Sequence, residues 1–573
     1  MIISNIKKNI SNKLQKAGGL PSDFIFNVDL PPEKDMGDIC VSCFRAAKIL
    51  QKNPVQIAEK IVKNFKKEDL VESIENKGAY INIFLSKESF QKIVKDVLKK
   101  QDDFGKQKDQ EKKVLIEFSS PNTNKPQHLG HLRNNFLGWS MSKIFEKLGF
   151  KAIKINAIND RGIHICKSML AYKKWGNNES PQDQDIKPDH FVGDYYVLFD
   201  KKAEKEPELL KQAQEMLIKW EKGDKETIKL WQKMRKWTLK GLKETYNEIG
   251  VSFDKWYWES EIYKQGKQII QNALKKGLCY KREDKAIEID LTDYNLDKKV
   301  LLRPDGTSVY ISYDLALAKK KQQDFKPDLS MYVVGSGQEY HFKVLFRILE
   351  KFGLFKAKDL FHLSYGMIDL PEGKMKSRKG RVVEADELIN EMTNLAKKEI
   401  EKRDKNVIKK EIDKRAKKIA LSAIKFYLLK FTPKQRFTFK PKESLSFEGD
   451  TGPYLLYTYA RIKSILKKSH LKVETKKIAQ VNWSRIGRAE KETLKIIFDF
   501  PNILKKSKKE LNPTYIATYL LGLAHEFNEF YHKKKVIQED KELERLRLFI
   551  ILAVSIALKS GLDILGIETI EKM

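Results

Sequence analysis

The segment from Val114 to Asp160 constrains the fold of this chain more than any other. VLIEFSS is an apolar run of strand length, and a Pro/Asn-rich loop, PNTNKPQ, follows it. HLGHLRNNFLGWSMSKIFEKLGF then carries Leu132, Phe136, Trp139, Ile144 and Leu148 at roughly helical spacing, and KAIKINAIND alternates like a second strand. Strand, helix and strand within about fifty residues is the βαβ unit of a parallel, nucleotide-binding sheet. Its ligand is expected at the carboxyl end of the first strand, against the helix N-terminus.

At 573 residues the chain is too long for one ordinary core. Residues 1–108 read as a small α+β domain: VDLPPEKDMGD leads into a helical stretch, ICVSCFRAAKIL, and GAYINIFLS alternates as a strand. The charged run Lys99–Lys113 reads as a linker. Residues 112–450 read as a Rossmann-type parallel-sheet domain with helical insertions. Within it, Ile165 to Ile262 is mostly helical, and KAIEIDL, SVYISYD and MYVVGS are strand-like. Residues 451–573 form an all-α C-terminal domain. The fold class expected is therefore multidomain α/β.

Lys and Arg number 111 against 78 acidic residues, a formal charge of +33. Such an excess suits polyanions, and a lysine-biased genome explains it equally well. It is spread along the chain rather than focused on residues 451–573. A membrane partner is not expected: the most apolar stretch, Leu548 to Leu558, lies between Arg547 and Lys559 and falls short of the about 20 residues that a span needs. The N-terminus has no apolar run of signal-peptide length. With only four cysteines, a reducing cytoplasm is expected rather than a disulfide scaffold. Cys40 and Cys43 form a CxxC, but no second pair or histidine cluster lies nearby in the sequence to complete a zinc site, and core packing accounts for them.

Two clusters can carry chemistry. His128-Leu-Gly-His131 opens the predicted helix, where imidazoles can hydrogen-bond phosphate oxygens and Gly130 admits a flat purine. Taken alone, HxxH is also half of a metal site, but no carboxylate or cysteine stands near it in the sequence; no metal site is expected. Gly373-Lys-Met-Lys-Ser-Arg-Lys-Gly380 packs Lys374, Lys376, Arg378 and Lys379 between glycines, which suits a triphosphate and its departing pyrophosphate. In so lysine-rich a chain, the same run is otherwise simply a solvated loop.

Together, SPNTNKPQHLGHLRN and GKMKSRKG resemble the HIGH and KMSKS signatures of class I aminoacyl-tRNA synthetases, and the SSPNxxKPxHxGHLR form resembles the arginyl-tRNA synthetases in particular. The likeness runs the whole chain. PEKDMGDICVS and GAYINIFLS are similar to that family's N-terminal domain. INDRGIHI, DHFVGDYYVLF, LLRPDGTSVYISYDLA, GSGQEYHF and FEGDTGPYLLYTYARI are similar to its catalytic core and the entry to its anticodon-binding domain, and GLDILGIETIEKM to its C-terminus.

The resemblance implies ATP-dependent activation of L-arginine and its transfer to the 3′ adenosine of tRNA(Arg), with ATP taken as its Mg2+ complex, no tightly bound cofactor, and a monomeric enzyme. Carried onto matching positions, it implies His128, His131, Lys125 and Lys374 as catalytic residues. His128, Gly130, His131, Lys374, Met375 and Lys376 would bind ATP. Glu117, Asn122, Glu259, Tyr310, Asp314 and Gln338 would bind arginine, with Asp314 the main guanidinium partner and Tyr310 a wall. A planar guanidinium does want carboxylates and carbonyls as fork partners. Tyr454, Tyr457, Tyr531 and Met573 would contact the anticodon region, and Asn82 and Phe84 the tRNA elbow; the tyrosines read equally well as packing between helices.

One departure stands out. KMSKS has a lysine in fourth place, where this chain has Ser377. The resemblance implies that Lys125, just upstream of the histidines, compensates; Lys376, Arg378 and Lys379 are further candidates. Three rivals are weighed against this reading. A class I synthetase for another amino acid would lack the acids at Glu117 and Asp314. A synthetase-like RNA-binding protein without catalysis would be expected to lose the two signatures. A nucleotidyltransferase acting on a small metabolite leaves the helical C-terminus unexplained.

Overall fold

In the computed structural model, residues 2–66, 69–307, 309–371, 383–403, 409–471 and 473–573 are described. The N-terminal unit comprises α1 (Ile2–Gly18), β1 (Ile39–Ser42), α2 (Phe44–Leu50), α3 (Pro54–Asn64), β2 (Val71–Lys77), β3 (Tyr80–Leu85) and α4 (Lys87–Lys100). β3 is the central strand, antiparallel to both β1 and β2. Cys40 therefore lies on a strand and not in the helical stretch expected: Ile39, Cys40 and Val41 are all buried against β3, and the helix opens only after Cys43. Both thiols are buried, as core packing requires.

The middle of the chain runs β4 (Lys113–Glu117), α5 (Leu129–Lys147), β5 (Lys151–Ile158), α6 (Ile163–Trp175), α7 (Pro188–Ala203), α8 (Glu208–Glu221), α9 (Lys225–Ile249), β6 (Lys255–Trp258) and α10 (Glu259–Lys275). There follow β7 (Tyr280–Lys281), β8 (Ile287–Ile289), β9 (Lys299–Leu302), α11 (Tyr310–Phe325), β10 (Leu329–Gly335), α12 (Glu339–Lys351), β11 (Leu360–Tyr365), β12 (Ile368–Asp369), α13 (Ala385–Arg403), α14 (Lys409–Leu429), β13 (Phe437–Thr438) and α15 (Pro441–Ser444). Strands β11-β10-β4-β5-β6 form one parallel sheet in that order. The first strand in sequence, β4, sits between the second and the fourth, so the sheet reverses direction beside it. Doubly wound sheets bind their ligands at that switch point, beyond the carboxyl ends of the strands.

One expectation fails within this domain. SVYISYD is not a strand: from Tyr310 it is the first turn of α11. Its short β-branched and aromatic run mimics alternation, but Ile311, Leu315 and Ala318 recur at helical spacing and all three are buried. The segment from Ile165 to Ile262 is mostly helical, as expected, and within it β6 closes one edge of the parallel sheet.

The C-terminal unit is α16 (Gly452–Lys468), α17 (Arg488–Lys509), α18 (Thr514–Lys533) and α19 (Lys541–Ile564). The N-terminal unit docks on it. Phe104 stacks on Phe500 at 5.3 Å, Lys7 pairs with Asp499 at 3.2 Å, and buried Lys495 donates to the Gly37 carbonyl at 2.9 Å. A continuous apolar core runs through these helices into α5, the helix that carries the histidines. Asn82, on the central strand, is 2% exposed and cannot present itself to a partner as expected; Phe84 beside it is half-buried.

Candidate active site and nucleic-acid cleft

The loop between β4 and α5 opens on a backbone strain. Ser119 and Ser120 are consecutive residues at φ 69° and 46°, a region that L side chains rarely adopt. Their surroundings hold the turn. Asn134 Oδ1 accepts from the Ser119 amide at 2.5 Å, Asn156 Oδ1 from the Ser120 amide at 3.1 Å, and Ser119 Oγ meets the buried Tyr246 hydroxyl at 2.6 Å. At Gly138 a Cβ would lie 2.2 Å from Phe118, so α5 packs with bare backbone against the strand end. The loop then continues beside β5: the Thr123 amide donates to the Asn159 carbonyl at 3.1 Å, which sets Asn122 opposite Asn159.

His128 is the N-cap of α5. Its Nδ1 accepts from the Gly130 amide at 3.1 Å, while the His128 amide donates to His131 Nδ1 at 3.2 Å. With Nδ1 accepting, each neutral ring must carry its proton on Nε2, leaving two N–H donors at a helix N-terminus. The rings lie 3.9 Å apart between centroids. Burial, aided by Lys125, lowers the His128 pKa to about 4; burial and the neighbouring His128 and Lys125 push His131 well below its ordinary value. Lys125 is half-buried, its pKa lowered by burial, and it makes no hydrogen bond or ion pair among the described residues. Two neutral donors beside an unpaired ammonium make a site for a polyanion.

Past the other strand ends stand the acids. Glu117 ends β4, Asp160 follows β5 and Glu259 follows β6. Asp314, one turn into α11, completes the group. Buried Asp160 accepts from the Ser260 amide and hydroxyl, both at 2.8 Å, and pairs with Arg235 at 2.9 Å. Burial, with Asp160 and Asp314 nearby and only Arg161 opposing, raises the Glu259 pKa to about 7. The convergence is registered by Tyr313, whose buried hydroxyl has no hydrogen-bond partner. Burial and then the charges of Glu117, Glu259, Asp314 and Asp160 push its pKa far up. Each of the three acids expected to bind arginine already has one partner: the Lys321 ammonium at 2.8 Å from Glu117, the His341 ring at 2.7 Å from Asp314 and the Arg161 guanidinium at 3.6 Å from Glu259.

Of the residues expected from sequence, the structure thus gathers Glu117, Asn122, Glu259 and Asp314 beyond the sheet, with Lys125, His128, Gly130 and His131 alongside. Tyr310 and Gln338 stand at an open rim, Tyr310 89% exposed. Lys374, Met375 and Lys376 lie outside the described residues. Sequence reasoning missed His164, Tyr313, Lys321 and His341. His164, with its pKa lowered to about 4 by burial and then Lys125, keeps a buried Nε2 without a partner.

Arg133, of the HLRN run, is wholly buried and faces carbonyls rather than an acid. It donates to Gly366 at 3.1 Å, Gln435 at 3.0 Å, Thr432 at 3.0 Å and Pro433 at 2.8 Å, with its plane over Phe437. It pins the ends of β11 and α14 to the histidine helix.

In the C-terminal unit, Tyr457, Tyr531 and Met573 line one open cleft of about 1480 Å³ together with Arg461, Lys463 and Lys535. Arg461 lies over the rings of Tyr457 and Tyr531, at 4.6 and 5.5 Å. Tyr454 sits outside it, bonded to Asn528 at 2.9 Å. Cationic walls with aromatic faces are what an unpaired nucleic-acid loop requires.

Comparison with known proteins accords with this geometry. A family model described as tRNA synthetases class I (R), catalytic domain, matches residues 92–440; DALR anticodon binding domain matches 455–573, and Arginyl tRNA synthetase N terminal domain matches 4–85. The arginine–tRNA ligase of Treponema denticola is 43% identical over 561 residues, covering 96% of this chain and 95% of its own. That of Borrelia duttonii is 42% identical over 593 residues and the whole of both chains. Among solved structures, the arginyl-tRNA synthetase of Thermus thermophilus superposes with a TM-score of 0.86 at 26% identity, covering 100% of both chains. That of Plasmodium falciparum gives 0.80 at 25%, covering 100% of this chain and 99% of its own.

Proposed function

The chain belongs to the arginyl-tRNA synthetase family and joins arginine to tRNA, and we propose the following division of labour among its residues. The observation that carries it is the pairing of an acid pocket for a cation with a polyanion site at the N-terminus of α5. Arginine lays its guanidinium toward Asp314 and Glu259, with Tyr313 and Tyr310 beside it. Glu117 keeps one oxygen on Lys321 and offers the other, with Asn122 and Gln338, to the polar head of the amino acid. Lys321 and Arg161 offset Glu117 and Glu259, and Asp314 is hydrogen-bonded to the His341 ring, so no carboxylate stands without a partner before the cationic substrate arrives.

ATP, a substrate of this family, takes the other half as its Mg2+ complex. His128 and His131 donate through Nε2 to its phosphates, Gly130 admits the base, and Lys125 with Lys374, Met375 and Lys376 flanks the triphosphate. The arginine carboxylate attacks the α-phosphorus, the bond to the bridging oxygen breaks, and pyrophosphate leaves with its magnesium. Positioning and neutralisation do this work, and no acid–base group is needed. In the second step the 2′-hydroxyl of the terminal adenosine attacks the activated carbonyl and AMP departs. Among the described residues Lys125 has no acid of its own, which supports its standing in for the lysine that Ser377 replaces. Tyr457, Tyr531 and Met573 receive the anticodon region in the basic cleft, with Tyr454 bracing the wall.

The test is aminoacylation by the purified chain with total tRNA, ATP and magnesium, each amino acid being offered separately. Arginine alone should be charged. Charging with another amino acid, or with none, would overturn the reading.

A further inference from the structure

Helix α7 touches the histidine loop and the residues that follow the cationic signature, two neighbours of the nucleotide half in the reading above, on which this inference rests. At Gly193 a Cβ would lie 2.7 Å from Pro126 Cδ, so the helix backbone lies flat against the histidine loop. One turn earlier, His190 reaches the residues that lead into α13. Its Nδ1 is 2.8 Å from Glu384 Oε2 and its Nε2 is 2.6 Å from Asp386 Oδ2. Glu384 in turn pairs with His128 in an antiparallel bridge. The Leu129 amide donates to the Val383 carbonyl at 3.3 Å, and the Ala385 amide to Gln127 at 2.8 Å. The chain that follows the cationic signature is thus laid along the histidine signature, and His190 holds it there by two acids.

Burial works against a charge on His190, but Asp386 and Glu384 outweigh it and raise its pKa to about 10, so the ring is an imidazolium with a proton for each acid. Lys187 adds a second cation, 2.7 Å from Asp386 and 2.5 Å from Thr245 Oγ1. Asp189, His190 and Asp386 lie close enough together to suggest a metal site, but the Lys187 ammonium is already among them, 3.6 Å from the buried Asp189. The cluster is an ion network that carries its own cation.

We propose that His190 is a positioning residue for the nucleotide half of the site. It clamps residues 383–386 against His128, shares Asp386 with Lys187, and offsets the Glu384 carboxylate beside the phosphate site. It touches no substrate.

The experiment compares His190→Ala, His190→Gln and His190→Lys in the full-length enzyme. Pyrophosphate exchange in the presence of tRNA gives KM for ATP and for arginine separately. His190→Ala should cost at least about tenfold in kcat/KM for ATP while KM for arginine stays within about twofold. His190→Lys, which keeps the charge, should recover more than His190→Gln, and adding Glu384→Gln to His190→Ala should recover part of the loss. Should His190→Ala fail to fold, Gly193→Ala carries the test, since its methyl must move Pro126 and should give the same ATP-selective defect. Unchanged kinetics for ATP, equal losses for ATP and arginine, or no advantage of Lys over Gln would overturn the inference. A wild-type enzyme that charges no arginine would instead overturn the functional reading, which separates the two failures.

Discussion

Lys321 Nζ lies 2.8 Å from Glu117 Oε2, with no part of the lysine side chain exposed and its ammonium 3.8 Å from the centre of the Tyr332 ring. The two residues stand 204 positions apart and join α11 to the first strand of the sheet. Removing one partner leaves the other charge buried and alone. Lys321→Met should therefore destabilise the protein by about 3–5 kcal/mol, and Lys321→Met with Glu117→Gln by much less. Urea unfolding of the single and double variants checks this, and a single variant within about 1 kcal/mol of wild type would show that the pair carries no such weight.

Arg133 supports a second prediction. A flat fork with five donors serves four carbonyls at once, and an ammonium on a flexible stem cannot reach the same set. Arg133→Lys should cost about 2–4 kcal/mol despite keeping the charge, because buried carbonyls lose their partners. Since those carbonyls belong to the ends of β11 and α14, KM for ATP should also rise. A variant with wild-type stability would mean that the carbonyls find other donors.

How far this site could be read without coordinates follows from which contacts are local. The βαβ unit was legible because its strands and helix carry their own periodicity within one stretch. So was the histidine pair, which sits in a short motif at a turn, whereas Glu117, Glu259 and Asp314 came only through the family likeness and Asp160 was not read at all. Residues 309–314 misled because so short a window cannot separate a helix start from alternation; only the continuation through Leu315 and Ala318 decides. Asn82 misled because alternation along a strand does not tell which of its two faces the rest of the domain covers. The side chains that partner the acids were invisible for another reason. His341 meets Asp314, Lys321 meets Glu117 and His190 meets Asp386 only after the chain has returned from a distant element, and no local pattern marks those pairs.

The buried histidines set the acid side of the stability profile. The folded pKa of His164 and of His128 is lowered to about 4, whereas an unfolded histidine titrates near 6.5. Between those values the unfolded chain binds more protons than the folded one, so stability is full above pH 6.5 and falls as the pH drops toward 4. His164→Asn should flatten part of that fall. Urea midpoints at pH 7 and pH 5 for both proteins check it, and an equal fall in both would exclude His164 as a contributor.

Substrate selectivity should divide between the two halves of the site. Asp314→Asn keeps the shape but removes a charge-assisted partner of the guanidinium. KM for arginine should rise by about 10- to 100-fold, with KM for ATP little changed. Tyr313→Phe removes the unpartnered hydroxyl among the four acids. It should raise KM for arginine by several-fold, and the protein should be no less stable, because that hydroxyl has no bond to lose in the free enzyme. Equal effects on both substrates would place these residues in general folding rather than in arginine binding.

The basic cleft gives the last prediction. Arg461 lies over both Tyr457 and Tyr531, so the aromatic faces are held in place before any base arrives. Stacking contributes about 1–3 kcal/mol for each base, which sets the loss for Tyr531→Ala at roughly 5- to 100-fold in KM for tRNA. KM for arginine, measured at saturating tRNA, should stay constant because the cleft lies in a separate helical unit. Lys535→Ala should act differently: it lowers the salt dependence of tRNA binding with a smaller loss at any one salt concentration, since a lysine paired with phosphate contributes through released counterions. Titrating tRNA binding over a range of salt for both variants separates the two contributions, and parallel salt slopes in the wild type and Lys535→Ala would remove that lysine from the interface.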